Sequence, residues 1–198
     1  LGAAAGQGKN ILFEAQLGAL RDIDYGIYPF TSSSNTIASY APIGAGIPGC
    51  ALDNVVGVMK AYSTCVGEGP FVAETAMGEA WNEKLRESGG EFGAATGRPR
   101  RVGPFDAVAS RYGIRCQKAQ DIALTKLDVL GAFDKIPVIT GYRLHGVLLD
   151  SFPTDSRLEE AEPVIEELPG WGCDISGCRS WKDLPENARK YVCTLEKL

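Results

Sequence analysis

The chain has 198 residues, of which 44% are hydrophobic, so it can bury a core and corresponds by length to one or two domains. Its formal net charge of -5 argues against nucleic acid or an anionic membrane as a general partner, because either would call for an extended basic face. No apolar run approaches the ~20 residues of a membrane-spanning helix, and the first residues lack the basic and apolar regions of a signal peptide.

Six cysteines are scattered through the chain without the density of a disulfide scaffold, which favours reduced thiols in a cytoplasm. Cys173 and Cys178 are five residues apart, close to the spacing of metal ligands, but the only histidine, His145, is far away in sequence. A structural zinc site needs four such ligands, so we expect no metal site in this chain. The chain does not begin with methionine, and we interpret Leu1 as a cut end.

The first part of the chain combines short apolar runs with loops. Residues 9–15 contain a continuous apolar run and predict a strand buried on both faces of a parallel sheet. Residues 16–36 are dense in turn formers and hydroxyl side chains and predict a loop. Residues 52–62 carry a β-branched run and predict a second buried strand. It leads into a glycine loop at residues 66–71, which is either a ligand loop at a strand end or a plain tight turn.

Two helices are predicted on either side of an arginine-rich segment. Residues 74–86 place apolar side chains at three- and four-residue spacing and predict a helix that stops at residues 88–90. That apolar stripe favours a core role over a ligand site. A second helix is predicted to begin at residues 106–112, with Asp106 as its N-cap.

The segment between these helices, residues 93–106, concentrates positive charge in an acidic chain. It carries Arg98, Arg100 and Arg101 around a proline, flanked by glycines. Arginine offers a planar fork of N–H donors that matches carboxylate or phosphate, and Thr96 adds a hydroxyl. An anion-binding loop and a solvated basic turn are both consistent with this composition.

The last part of the chain begins with a hydrophobic strand that ends in Thr125-Lys126-Leu127-Asp128. A fixed carboxylate in such a motif can accept the ring and amino hydrogens of guanine, a donor pair that adenine lacks. The following pattern predicts strands at residues 136–144 and 147–149 around a hairpin tip at His145, and an acidic exposed segment at 155–167. Residues 181–198 predict a final helix with Asp183 as its N-cap.

Several of these segments together resemble one enzyme family. Residues 93–106, which read G-A-A-T-G-R-P-R-R-V-G-P-F-D, closely resemble the aspartate-binding loop of adenylosuccinate synthetases. Residues 12–36, 60–71, 124–130 and 168–171 resemble other signatures of that family in the same order. The resemblance implies an α/β fold, a partial P-loop-NTPase-like and mostly parallel sheet with flanking helices and a small antiparallel hairpin. We expect a single partial domain over residues 1–198, matching the central to C-terminal part of the family.

The resemblance also implies roles for particular residues. Gln16, Ser32 and Val66 would contact inosine monophosphate (IMP), with the Ser32 hydroxyl on its phosphate and Val66 beside its sugar. The substrate-binding loop would comprise Ala94, Ala95, Thr96, Gly97, Arg98, Pro99 and Arg100, in which Arg98 faces aspartate and the ribose and Arg100 grips the carboxylates of aspartate. Arg100, Lys126, Leu127 and Asp128 would contact GTP.

The implied activity is a ligase of purine biosynthesis that uses GTP to join IMP and L-aspartate into adenylosuccinate, in a cytoplasmic homodimer with Mg²⁺. The family's phosphate loop, its catalytic aspartate and histidine and its magnesium ligands have no match here. We therefore assign no catalytic or metal residue, expect the Mg²⁺ ligands in a missing N-terminal part, and expect the chain to be inactive alone.

The sequence departs from the family pattern at four positions. Leu17 stands where a ligand-contacting glutamine is usual, while Gln16 lies one place early. Cys65, Ala95 and Pro104 stand where the family usually has arginine, threonine and tryptophan. These differences keep an alternative open, a non-catalytic purine-nucleotide-binding module, and a purely structural domain is a third interpretation.

Overall fold

The computed structural model describes residues 1–149 and 151–198. Within them the chain alternates helices and strands, and the predicted α/β class is confirmed. The α-helices are α1 (Gly2–Gly6), α2 (Ala41–Gly44), α3 (Val72–Thr75), α4 (Glu79–Gly89), α5 (Ala107–Gln117) and α6 (Glu186–Lys197). The strands are β1 (Val56–Lys60), β2 (Ser63–Cys65), β3 (Arg101–Gly103), β4 (Phe105–Asp106), β5 (Asp121–Thr125), β6 (Lys135–Leu144), β7 (Val147–Leu148) and β8 (Glu162–Pro169).

The strands pair in both directions. β1 is hydrogen-bonded to β5, and β2 pairs with β3 in antiparallel orientation. In the largest sheet β6 pairs in parallel with β4 and in antiparallel orientation with β7 and β8. The predicted hairpin is confirmed as β6–β7, with His145 at its tip in the left-handed region, at φ 49°. The antiparallel pairing of β6 with β8 extends from Lys135–Pro169 to Arg143–Glu162.

The chain divides into two compact units, one of residues 1–57 and 112–123 and one of residues 58–111 and 124–198. The second unit contains the hydrophobic core. Tyr191 of α6 is fully buried there and donates a hydrogen bond from its hydroxyl to the carbonyl oxygen of Ala61, at 2.6 Å. The other buried core residues are Tyr62, Leu85, Val102, Phe105, Ala107, Val129, Leu130, Phe133, Ile136 and Val138.

The first unit forms few regular elements, and a buried carboxylate orders its longest loop. Asp22 is fully buried and accepts hydrogen bonds from the backbone N–H groups of Thr36, Asp24 and Tyr25. Burial raises the pKa of Asp22, but these hydrogen bonds outweigh it and hold the pKa below its ordinary value. The loop predicted at residues 16–36 is thus an ordered loop that folds around one anion.

Some predicted elements are wrong, and the errors share a cause. No described segment pairs with residues 9–15, which form no strand, and Leu12 is 94% exposed. The strand β1 forms as predicted, but Val58 on it is 74% exposed, so the expected burial is wrong. An apolar run becomes a buried strand only where other elements cover it, and that is a tertiary property.

Other corrections concern element boundaries. The helix predicted at residues 74–86 is two helices, α3 and α4, because Gly78 between them has an extended backbone. Residues 155–167 are mostly exposed, as predicted, with Leu158 and Ala161 buried, but they also contain most of β8, which was not predicted. Asp183 closes a capping box with Ser180 at a short 3₁₀ turn, whereas Pro185 precedes the first residue of α6, so Asp183 is not its N-cap.

Asp106 forms the predicted N-cap of α5, and it is buried. Its carboxylate accepts hydrogen bonds from the backbone N–H groups of Val108 and Ala109, each at 3.0 Å. The hydroxyl of Tyr142 donates to the other carboxylate oxygen. Burial raises the pKa of Asp106 to about 6, although all three hydrogen bonds act in the opposite direction.

This carboxyl group makes the free energy of unfolding depend on pH. Because the pKa of Asp106 is higher in the folded protein than its ordinary value of 3.8, the native state binds this proton more tightly than the unfolded chain does. The resulting stability is complete below the ordinary pKa and is lost as pH rises through about 6, a change of about 1 to 3 kcal/mol.

We therefore expect Asp106→Asn, which keeps a capping oxygen, to lose that component of the pH dependence. Urea unfolding of wild type and variant between about pH 4 and pH 7.5 measures the difference, in which contributions from other carboxylates cancel. Asp53→Asn, at an exposed position, is the matched control. The prediction would be contradicted if the free energy of unfolding depended on pH in the same way for wild type and Asp106→Asn.

No helix within the described ranges has the length and apolar character that a membrane span requires.

Candidate functional site

A buried carboxylate lies at the base of the arginine-rich segment in the second unit. Glu91 is 1% exposed, and the Lys60 Nζ donates to both of its oxygens, at 2.8 and 2.9 Å. The Arg100 Nη1 donates to Oε2 at 2.9 Å, and the Tyr62 hydroxyl donates to Oε1 at 2.5 Å. The Glu91 carboxylate thus connects three parts of the chain: the end of β1, the residues directly after β1 and the arginine-rich segment.

The environment of Glu91 keeps it ionised. Burial raises the pKa of Glu91, but hydrogen bonds from Lys60 and Tyr62 and the charge of Lys60 outweigh it, so the pKa lies below its ordinary value. Burial also raises the pKa of Tyr62, with the Glu91 hydrogen bond and charge adding to the effect. Tyr62 therefore remains a neutral hydroxyl donor to this carboxylate.

The arginine-rich segment begins as a narrow hairpin. Phe92 and Pro99 form an antiparallel bridge. The backbone N–H of Gly93 donates to the carbonyl of Arg98, and that of Gly97 to the carbonyl of Gly93, each at 2.8 Å. Gly97 has φ +63°, a conformation that favours glycine. The exposed tip consists of Ala94, Ala95, Thr96, Gly97, Arg98 and Pro99.

Arg100 and Arg101 point to different neighbours because successive side chains of an extended segment lie on opposite faces. Arg100 is paired with Glu91. Arg101 forms an ion pair with Glu74, at 2.6 Å, and donates from Nη1 to the carbonyl oxygens of Gly67 and Gly69. Arg101 also lines a cleft of about 300 Å³ together with Gly69, Pro70, Phe71, Val72, Thr75, Leu158, Glu159 and Ala161.

The motif Thr125-Lys126-Leu127-Asp128 begins at the last residue of β5. Lys126 adopts the left-handed region, at φ 60°, and its Nζ donates to the carbonyl oxygen of Gly89, at 2.8 Å. Leu127 packs against the core, which fixes the turn. Asp128 is exposed, and no hydrogen bond or ion pair to another described residue occupies its carboxylate. Its charge contributes to the raised pKa of Tyr62.

The structure therefore brings part of the predicted site together within the second unit. Lys126 holds Gly89 and Arg100 holds Glu91, so the T-K-x-D motif and the arginine-rich segment are attached to the same three-residue stretch. Val66, also of this unit, is 73% exposed beside the glycine loop.

The remaining predicted residues belong to the first unit. Gln16 is exposed, and Leu17 beside it has φ 78°, an unusual value for a residue that is not glycine. The Ser32 hydroxyl is part of a local turn, in which it accepts from the N–H of Ser34 and donates to the Ser34 carbonyl. Asp24 accepts hydrogen bonds from Asn35, at 2.9 Å, and Tyr40, at 3.2 Å.

Sequence reasoning missed Lys60, Tyr62 and Glu91. The available signal was Glu91 itself, an acidic residue two positions before the glycine that opens a basic segment. Lys60 and Tyr62 lie in a segment that resembles a family signature, but nothing in the sequence linked them to Glu91, from which they are 31 and 29 residues away. Only the tertiary structure, which places the Tyr62 ring against Gly89 at the end of α4, brings them to it.

Comparison with known proteins agrees with this architecture. The family model for adenylosuccinate synthetase matches residues 1–198. Adenylosuccinate synthetase from Trichlorobacter lovleyi is 51% identical over 199 residues, which cover 100% of this chain and 46% of that protein. The enzyme of the same name from Pelotomaculum thermopropionicum is 51% identical over 187 residues, which cover 94% of this chain and 43% of that protein.

The fold is shared with a solved structure. Fully ligated adenylosuccinate synthetase from Plasmodium falciparum matches with a TM-score of 0.93 at 38% identity, covering 99% of this chain and 47% of that chain. This chain belongs to the adenylosuccinate synthetase family. It spans about half the length of the curated relatives it matches.

Proposed function

We propose that this chain supplies the aspartate loop, part of the nucleotide cradle and the guanine-reading motif of an enzyme that uses GTP to join IMP and L-aspartate into adenylosuccinate. The observation that carries the proposal is the common anchor at residues 89–91. Lys126 of the guanine motif and Arg100 of the arginine segment both attach there. GTP and aspartate held by these elements would both lie close to the IMP, which GTP phosphorylates and the aspartate amine then attacks.

The guanine-reading role rests on the exposed carboxylate of Asp128. This carboxylate lies on a 3₁₀ turn, Leu127–Ala132, and can accept both the ring N–H and the amino hydrogens of guanine. The stem of Lys126 is held by its bond to Gly89 and can cover one face of the base. Leu127 lies between them and anchors the turn in the core.

The aspartate role rests on the exposed hairpin tip and the half-exposed Arg100. Thr96 and Arg98 lie on the tip, where the hydroxyl and guanidinium can meet the carboxylates of the substrate. The remaining contacts of this loop would come from the backbone of Ala94, Ala95, Gly97 and Pro99. Ala95 has no hydroxyl, so the arginines contribute more of the binding here than in relatives with threonine at this place.

The nucleotide-cradle role assigns Gln16, Ser32 and Val66 to IMP. The loop of residues 16–36 is ordered around Asp22, and Ser32 on it presents a hydroxyl suited to a phosphate. Val66 is exposed beside a glycine loop that Arg101 holds through Gly67 and Gly69.

In the proposed reaction the γ-phosphoryl group of GTP passes to the six-oxygen of IMP, and the amine of aspartate then displaces phosphate. Arg100 would grip the carboxylates of aspartate near the GTP phosphates. Among the described residues no group of three or more His, Cys, Asp or Glu side chains could hold a metal ion. A cytoplasmic homodimer and GTP with Mg²⁺ are part of the proposal.

The proposal is tested on the full-length gene product that contains this chain. We expect formation of adenylosuccinate only when IMP, L-aspartate and GTP are all present, and little product when ATP replaces GTP. Ultraviolet absorbance follows the product directly. Binding of GTP without any product would instead support the non-catalytic nucleotide-binding module.

A further inference from the structure

Glu91 holds Arg100 at two points, through its backbone and through its side chain. The Arg100 N–H donates to the Glu91 carbonyl at 2.9 Å, and the Arg100 Nη1 donates to the Glu91 carboxylate at the same distance. A third restraint comes from α4, because the Arg86 Nε donates to the Arg100 carbonyl at 3.1 Å. Arg100 is therefore anchored to the end of α4, whereas Arg98 lies on the exposed hairpin tip.

The side-chain contact uses only one edge of the guanidinium. Nη1 is bound to Glu91, and the other guanidinium nitrogens of Arg100 make no hydrogen bond to a described residue. The side chain is 33% exposed. An arginine has five N–H donors in a rigid fork, so fixing one edge also fixes the direction of the rest.

The charges around Glu91 favour an anion at the free edge of the Arg100 guanidinium. Lys60 and Arg100 bring two positive charges to a single buried carboxylate, so the three side chains keep one net positive charge. Without the carboxylate, Lys60 and Arg100 would repel each other across a partly desolvated gap. Arg100 would then turn toward solvent and lose its orientation.

We propose that Glu91 is a positioning residue for the aspartate substrate, acting through Arg100. This inference rests on the proposed function, since it takes Arg100 as the group that grips the substrate carboxylates. Glu91 itself does not touch the substrate. It holds one edge of the guanidinium so that the other is directed to a carboxylate before the substrate arrives, which lowers the ordering cost of binding.

A purely structural ion pair predicts a different result. If Glu91 only stabilised the fold, its replacement would lower the melting temperature and reduce the amount of active enzyme. The remaining enzyme would keep its Michaelis constants for aspartate, GTP and IMP. The positioning role instead predicts a selective change in the Michaelis constant for aspartate.

The test uses Glu91→Gln in the full-length enzyme, because glutamine keeps the size and can still accept from Tyr62. We expect KM for aspartate to rise about tenfold or more, with kcat changed less than about threefold and KM for GTP and IMP within about twofold. Glu87→Gln is the matched control, since it removes an exposed carboxylate four residues earlier and should leave all constants unchanged.

A double-mutant cycle with Arg100→Lys tests whether Glu91→Gln changes KM for aspartate through Arg100. If Glu91 acts through Arg100, adding Glu91→Gln to Arg100→Lys raises KM for aspartate by less than about twofold further. If the two substitutions instead raise KM for aspartate by independent factors that multiply in the double variant, the inference is overturned. If Glu91→Gln does not fold, Glu91→Asp carries the same test, because the shortened carboxylate keeps the charge but withdraws from Arg100.

The outcomes separate this inference from the function on which it rests. Unchanged KM for aspartate in folded Glu91→Gln, or equal increases for aspartate and GTP, overturns the positioning role while wild-type activity stands. Absence of adenylosuccinate formation by wild type and Glu87→Gln alike overturns the proposed function and this inference with it.

Discussion

Replacing Arg100 with lysine in the full-length enzyme is expected to raise KM for L-aspartate steeply. Lysine keeps the charge but loses the planar fork, so one ammonium group cannot both pair with Glu91 and bind a carboxylate in bidentate fashion. Losing one charge-assisted hydrogen bond costs about 1.5 to 3 kcal/mol, which corresponds to roughly 10- to 150-fold in KM. Steady-state kinetics with aspartate as the varied substrate measures this effect.

KM for GTP should change little in Arg100→Lys, because guanine recognition depends on Asp128. Arg115→Lys is the matched control, since Arg115 is exposed on α5. The same exchange there should leave every constant unchanged. Identical aspartate kinetics in wild type and Arg100→Lys would show that Arg100 does not grip the substrate and would favour a solvated basic turn.

Asp128→Asn is expected to abolish most of the preference for GTP over ATP. The asparagine amide can accept one hydrogen bond from guanine but presents N–H donors where the second acceptor is needed. Each lost charge-assisted bond costs about 1.5 to 3 kcal/mol, so the ratio of kcat/KM for GTP to that for ATP should fall about 10-fold or more. Competition between the two nucleotides in one assay measures this ratio.

KM for aspartate should be nearly unaffected in Asp128→Asn, because the carboxylate makes no bond to the arginine-rich segment. Asp134→Asn, at an exposed position after the same 3₁₀ turn, is the matched control. A retained preference for GTP in Asp128→Asn would refute the guanine-reading assignment. The combination of the two variants separates recognition of the nucleotide from recognition of the amino acid.

Elements whose signal lies within a few residues were predictable from the sequence. Gly90 ends α4 in the left-handed region, Asp106 caps α5, and His145 occupies the tip of the β6–β7 hairpin, all as their local patterns indicated. The T-K-x-D motif following β5 was found for the same reason. Each of these features depends on a backbone preference or a hydrogen bond between residues close together in sequence.

The partners of the charged residues were not predictable in this way. Three arginines within four positions indicated one basic cluster. In the structure Arg100 forms an ion pair with Glu91 and Arg101 with Glu74. Arg98 lies on the exposed hairpin tip. The exposure of Leu12 was missed as well, because an apolar residue has no preference for a strand unless another element covers it.

The sequence alone therefore determined the family, the elements with a strong local signal and the loop and T-K-x-D residues of the proposed site, since these depend on identity and spacing along the chain. Only the tertiary structure decided that Lys60, Arg100 and Lys126 converge on residues 89–91. The bonds from Lys60 and Lys126 join residues 31 and 37 positions apart. Such contacts form where the hydrophobic core brings together segments that are distant in sequence, and no local pattern encodes them.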